Sequence, residues 1–240
     1  MDRATHSWTH LLFDNKHDEG NTLPSLPEEL LLLALDDESG SVYADAIGLG
    51  LAGAQLVELT LGGHVVLEDG RLHASAGDHT DDPLLDAALA DIAASGKPTK
   101  PSAWLSSRSK SMVGVYGARL AEAGLVKHQK GRALGVITTH RYPAADTSVK
   151  AGVRARLDAV VAKRLVLDPR TQALASLVHA IGLARRLYSG REGAGARKEL
   201  RALAEGDWAA RAVSQEIAKA TAAITAAVAA AAVAAVAGSS

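Results

Sequence analysis

Apolar positions along this chain gather into short helical stretches parted by polar turns, and the first stretch is the most sharply drawn. Ser25 and Glu28 make an S-x-x-E capping box, which satisfies two backbone donors just before an apolar run begins. Leu30 to Leu35 are apolar on every side, so this short helix is expected to be buried; Asp36 to Gly40 end it. Tyr43 to Leu61 carries apolar residues at three- and four-residue spacings and predicts a second helix with small residues along one side. Two alternating segments flank Asp69-Gly70, a pair that favours a two-residue hairpin turn with positive backbone angles. Asp82-Pro83 opens a helix through Ala94, with Leu84, Leu85, Ala88, Leu89 and Ile92 on one face. From Met112 a further helix leads into a second hairpin that ends at Tyr142. Asp146 to Leu165, Pro169 to Tyr188 and Gly195 to Ala204 each set an apolar face against Arg and Lys, with Gly190 to Gly195 as a loop. The pattern predicts a mainly α fold, a helical bundle decorated with short β-hairpins.

Composition narrows the function classes. With 240 residues, 48% of them hydrophobic, and a net charge of -1, the chain can bury a substantial core but is not a globally basic nucleic-acid binder. The absence of cysteine excludes a disulfide scaffold and a thiolate metal site. The bias toward Ala, Arg and Gly suits a bacterial genome rich in G and C. Residues 1–22 are polar and aperiodic and are read as an arm preceding a single domain from residue 23 to residue 240. The arm's His6, His10 and His17 have no fixed spacing on one element, so no metal is expected there. No basic stretch precedes an apolar one at the start, which points to the cytosol.

Three chemistry-bearing patterns compete. Gly48 to Gly53 is a literal G-x-G-x-x-G with Glu68 or Asp69 placed for a ribose, which would make the chain a dinucleotide-binding enzyme. Its context argues otherwise, because Asp45 interrupts what should be a buried strand and no second βαβ unit follows. Neither a catalytic residue nor a cofactor is therefore expected. The helix and basic hairpin between Met112 and Tyr142 resemble the winged helix of transcription regulators, yet the helix offers only Arg119 to a groove, and no specific nucleic acid is expected. The run from Lys97 to Lys110 is read as a basic loop around Trp104. There Arg108, Lys110, nearby serine hydroxyls and a helix beginning at Ser111 would offer donors to a phosphate.

The ordered set L-P-E-E-L-L-L-L-A-L-D-D-E-S-G, Tyr43 with Asp45, G-L-A-G, Q-L-V-E-L, D-P-L-L-D-A-A-L, A-R-L-A-E-A-G-L-V, L-D-P-R and L-V-H-A resembles the Golgi phosphoprotein 3 family. These are peripheral membrane proteins that recognise phosphatidylinositol 4-phosphate, and the resemblance runs from about Leu23 to the end of the chain. It implies that Ala220 to Ala237, 18 weakly apolar residues next to Lys219, form a central C-terminal core helix rather than a membrane span. It also implies a peripheral, cytoplasmic protein that binds an anionic lipid headgroup, with a protein cargo as a further partner. Tyr43 falls at the family's pocket tryptophan and Lys110 near one pocket arginine, so Tyr43, Arg108 and Lys110 are the expected headgroup residues. Ala52 and Val113 stand where the family carries two other arginines, and the membrane-inserting loop is shortened around Trp104. The hairpin at 126–142, with Arg132, Leu134, Val136 and Ile137, is expected to serve the membrane contact or a homo-oligomer.

Overall fold

A computed structural model describes residues 24–74, 77, 79–94, 99–133, 137–164 and 168–206. In chain order these form α1 (Leu26–Ala34), α2 (Ile47–Leu61), β1 (Val65–Glu68), β2 (Arg71–Ala74), α3 (Pro83–Ala94), α4 (Pro101–Glu122), β3 (Gln129–Ala133), β4 (Ile137–Arg141), α5 (Ser148–Val161), α6 (Pro169–Ala180), α7 (Ala184–Leu187) and α8 (Ala194–Gly206). The fold is mainly α. Its strands form two separate antiparallel hairpins, β1 with β2 and β3 with β4.

The apolar run Leu30 to Leu35 belongs to a helix buried along its whole length: all nine residues of α1 are buried, Glu28 and Glu29 included. The capping box forms as the sequence predicts. Glu28 accepts from the Ser25 amide at 2.7 Å and from its hydroxyl at 2.6 Å. Packed against α1 is α2, whose glycines allow close approach: a Cβ on Gly50 would lie 2.8 Å from Ile181 and 3.1 Å from Leu30. α4 runs along the other flank of α2, and a Cβ on Gly48 would meet the Ser109 carbonyl oxygen at 2.2 Å. The Asp69-Gly70 turn adopts φ of 48° and 70°, the two positive angles that a tight hairpin of this kind needs.

Loop 35–42 folds back on itself through a bridge between Leu35 and Val42. It is also laced to the strand end after β4: the Tyr142 amide donates to the Gly40 carbonyl at 3.0 Å, and Ala144 donates to Asp37 at 2.9 Å. Only glycine suits position 40, where φ is +64° and a Cβ would lie 2.2 Å from the Pro143 nitrogen. On the far side of this junction the fully buried Tyr142 ring lies flat on Gly117 of α4.

The structure corrects several expectations. The basic run is not a loop around Trp104, because α4 begins at Pro101 and the described part of that run after Lys100 is helical. Pro101 supplies the first helical position, and Trp104, Leu105, Met112, Tyr116 and Leu120 form one buried stripe. Ser111 is consequently mid-helix and opens no helix. The serines stay helical because their hydroxyls fold back, Ser107 to Trp104 at 2.8 Å and Ser109 to Ser106 at 3.1 Å. α2 starts at Ile47 rather than Tyr43, and the expected helix from Pro169 to Tyr188 is two, parted at Gly182 with φ of +76°. Among the described residues α1 is the buried centre; Ala220 to Ala237, expected to be central, lie outside them.

Candidate functional site

Acids and arginines from widely separated parts of the sequence converge on the first turn of α1. Arg119 of α4 reaches Glu28 at 3.1 Å and grips Asp82 with one nitrogen at 2.6 and 2.7 Å from its two oxygens. Glu29, 1% exposed, is held by Arg156 of α5 and lies 3.7 Å from Arg170 of α6. Burial raises the Glu29 carboxyl above its ordinary value against the pull of both arginines. Arg170 also pairs with Glu58 of α2 and donates to the Pro24 carbonyl at 2.7 Å, while Glu58 accepts from the Leu26 amide at 2.6 Å. A cleft of about 750 Å³ lies over this network, with Glu28, Glu58, Asp81 and Asp82 facing Arg119 and Arg170. Both arginines are already engaged with carboxylates, so these residues bind one another and hold five helices in register.

A different surface forms around the amino end of α2. Tyr43 is 37% exposed, and its hydroxyl donates to Asp36. The Asp36 carboxyl is held below its ordinary value, chiefly by the Ser39 amide. The Arg186 guanidinium of α7 lies 4.0 Å above the centre of the Tyr43 ring. The N-cap of α2 is Ala46, which has no side chain able to cap, so the helix's first-turn amides gain no side-chain acceptor there. Ser109 of α4 presses on Gly48 in that first turn, and the next residue, Lys110, is exposed. Among the described residues Lys110 has no carboxylate partner.

The three expected headgroup residues thus have different environments. Tyr43 lies just before α2, and Lys110 follows the α4 residue, Ser109, that presses on the first turn of α2. Arg108 is committed elsewhere: it pairs with Asp91 of α3, its guanidinium packs 5.4 Å from the Trp104 ring, and its side chain is only 17% exposed. The serine hydroxyls of α4 donate to their own helix rather than outward. Arg186 was not singled out in the sequence, since nothing in the order L-A-R-R ties it to Tyr43. In the second hairpin, Arg132 is exposed on β3 opposite Thr138. Leu134 and Val136 lie outside the described residues, as does the side chain of Ile137.

Both competing motifs carry their key residues on helices. Gly48 to Gly53 lie inside α2, where a dinucleotide loop would need a strand before it, and the described strands form only antiparallel hairpins. In the winged-helix reading Arg119 would have to face a groove, whereas it is engaged with Glu28 and Asp82. Among the described residues no group of three or more His, Asp or Glu side chains could hold a metal ion, and no helix is long and apolar enough to cross a membrane.

A family model described as Golgi phosphoprotein 3 (GPP34) matches residues 26–220. That span includes α1 to α8, the whole ion network from Glu28 to Arg170, and the surface formed by Tyr43, Lys110 and Arg186. The chain belongs to the Golgi phosphoprotein 3 (GPP34) family.

Proposed function

We propose that this protein is a peripheral membrane protein, not an enzyme, that binds an anionic lipid headgroup at the amino end of α2. The observation that carries this reading is an exposed aromatic ring, Tyr43, just before a helix start that has no side-chain cap, with an exposed, carboxylate-free Lys110 next to the α4 residue that contacts that start. Helix starts attract phosphate through free amides and the positive end of the dipole, and an exposed aromatic suits the boundary between headgroups and water. Each nearby cation adds about 1 kcal/mol of attraction to an anionic surface, so a single site binds weakly and loses affinity as salt rises. Self-association, which we also propose for the 126–142 segment, would raise the apparent affinity by linking several such sites.

Vesicle flotation tests the reading. The protein should float with phosphatidylcholine vesicles containing phosphatidylinositol 4-phosphate, should not float with phosphatidylcholine alone, and should lose the first behaviour in Lys110→Glu. Equal flotation with both vesicle types, or none with either, would sink the reading.

A further inference from the structure

Several arginines elsewhere in the fold are consumed by carboxylates. Arg108, Arg119, Arg154, Arg156 and Arg170 each bond to an Asp or Glu. Arg186 is exposed and among the described residues makes no ion pair; its guanidinium packs on the Tyr43 ring, 4.0 Å away, and the Asp36 carboxylate attracts it through space. The ring is itself fixed by the Tyr43 hydroxyl on Asp36, which is anchored by the Ser39 amide at 2.7 Å. Stacking uses the face of a guanidinium and leaves the N–H donors along its edge, the group that fits two phosphate oxygens at once. An oriented but unconsumed guanidinium costs little further ordering when an anion arrives.

We infer that Arg186 is the principal phosphate ligand of the headgroup site, that Tyr43 is its platform, and that the Asp36 carboxylate opposes the incoming phosphate. This rests on the headgroup reading above and adds to it a cation delivered from α7 and a built-in opposing charge. The ligand chemistry is a phosphate monoester, which brings close to two negative charges and three acceptor oxygens to one guanidinium. Asp36 is one hydroxyl away from the platform, so its charge weakens the local positive field and sets the threshold for binding. The source is taken to be lipid, because Tyr43 is exposed beside the arginine.

The experiment compares the full chain with Arg186→Ala, Arg186→Lys and Asp36→Asn, using flotation with phosphatidylcholine vesicles that contain phosphatidylinositol 4-phosphate and calorimetry with inorganic phosphate. Asn can keep the turn that Asp36 makes with Ser39. Arg186→Ala should weaken vesicle binding about tenfold, the loss of one charge-assisted contact, with an unchanged melting temperature. Arg186→Lys should fall between, and Asp36→Asn should bind several times more tightly. Parent-like binding by Arg186→Ala, while Lys110→Glu still loses it, overturns the role of Arg186 and leaves the headgroup reading standing. Unchanged or weaker binding by Asp36→Asn overturns the opposing charge. A parent that binds inorganic phosphate but no vesicle overturns the lipid source, and a parent that binds neither overturns this inference together with the reading beneath it.

Discussion

Glu58 and Arg170 form an ion pair across 112 residues of sequence, tying the last turn of α2 to the start of α6. Neither partner is generously hydrated: their side chains are 17% and 32% exposed. Arg170→Met should therefore cost about 3 kcal/mol, because Glu58 stays behind with its charge and Pro24 loses a donor. Urea unfolding of Arg170→Met, Glu58→Gln and the double variant should show a double loss smaller than the sum of the single losses.

Gly48 should tolerate no side chain. Its Cβ would fall 2.2 Å from the Ser109 carbonyl oxygen, a backbone atom that moves only if α4 moves. Gly48→Ala should lose about 1–3 kcal/mol and weaken vesicle binding together, since α4 carries Lys110 away from α2. Gly114 of α4 is the control. A Cβ there meets nothing within 4 Å, so Gly114→Ala should gain about 0.5–1 kcal/mol from helix propensity and leave binding alone.

His179 should give the stability a slope just below neutral pH. Burial, and then Arg201 of α8, lower its affinity for a proton below the ordinary 6.5, with Glu205 opposing them. As pH falls through 6.5 the unfolded chain takes up this proton before the folded one does. The contribution is therefore complete above that value and is lost as pH falls toward the folded pKa. Melting temperatures of the parent should drop on acidification from about pH 7 to pH 5, and His179→Gln should flatten the drop.

At lower pH the N-cap of α6 should fail. Asp168 accepts from the Thr171 amide at 2.8 Å and from its hydroxyl at 2.5 Å. Burial raises its pKa, but these bonds outweigh burial and leave the carboxyl below 3.8. A depressed carboxylate stabilises above its unfolded pKa, and the contribution disappears as pH falls through the folded value. Asp168→Ala should cost about 1 kcal/mol at neutral pH. Asp168→Asn should retain most of the cap while removing its acid dependence, as thermal unfolding between about pH 5 and pH 2 would show.

Where local chemistry decides structure, the sequence was easy to read. Ser25 with Glu28, and Asp69 with Gly70, act within three residues, and both motifs form as read. The first half of α4 was hidden because serines and lysines usually mark loops, whereas here the serine hydroxyls bond to the preceding turn and Trp104 anchors the helix into the core. The family motifs pointed to the ion network without revealing it, since Arg119, Arg156 and Arg170 find their acids only through tertiary packing. The surface at α2 was half legible. Tyr43 and Lys110 could be named, but the engagement of Arg108 with Asp91 and the arrival of Arg186 over Tyr43 depend on helices that are distant in sequence.

The bonds from Tyr142 and Ala144 to loop 35–42 make that loop and the foot of the second hairpin one mechanical piece. Lys150 reinforces it from α5, reaching the Leu35 carbonyl and Asp37, both at 2.6 Å. Asp36, and through it Tyr43, ride on this piece, while Arg186 rides on α7. The two sides of the Tyr43–Arg186 contact are therefore carried by different parts of the fold, one stitched to the foot of the second hairpin and the other borne by α7.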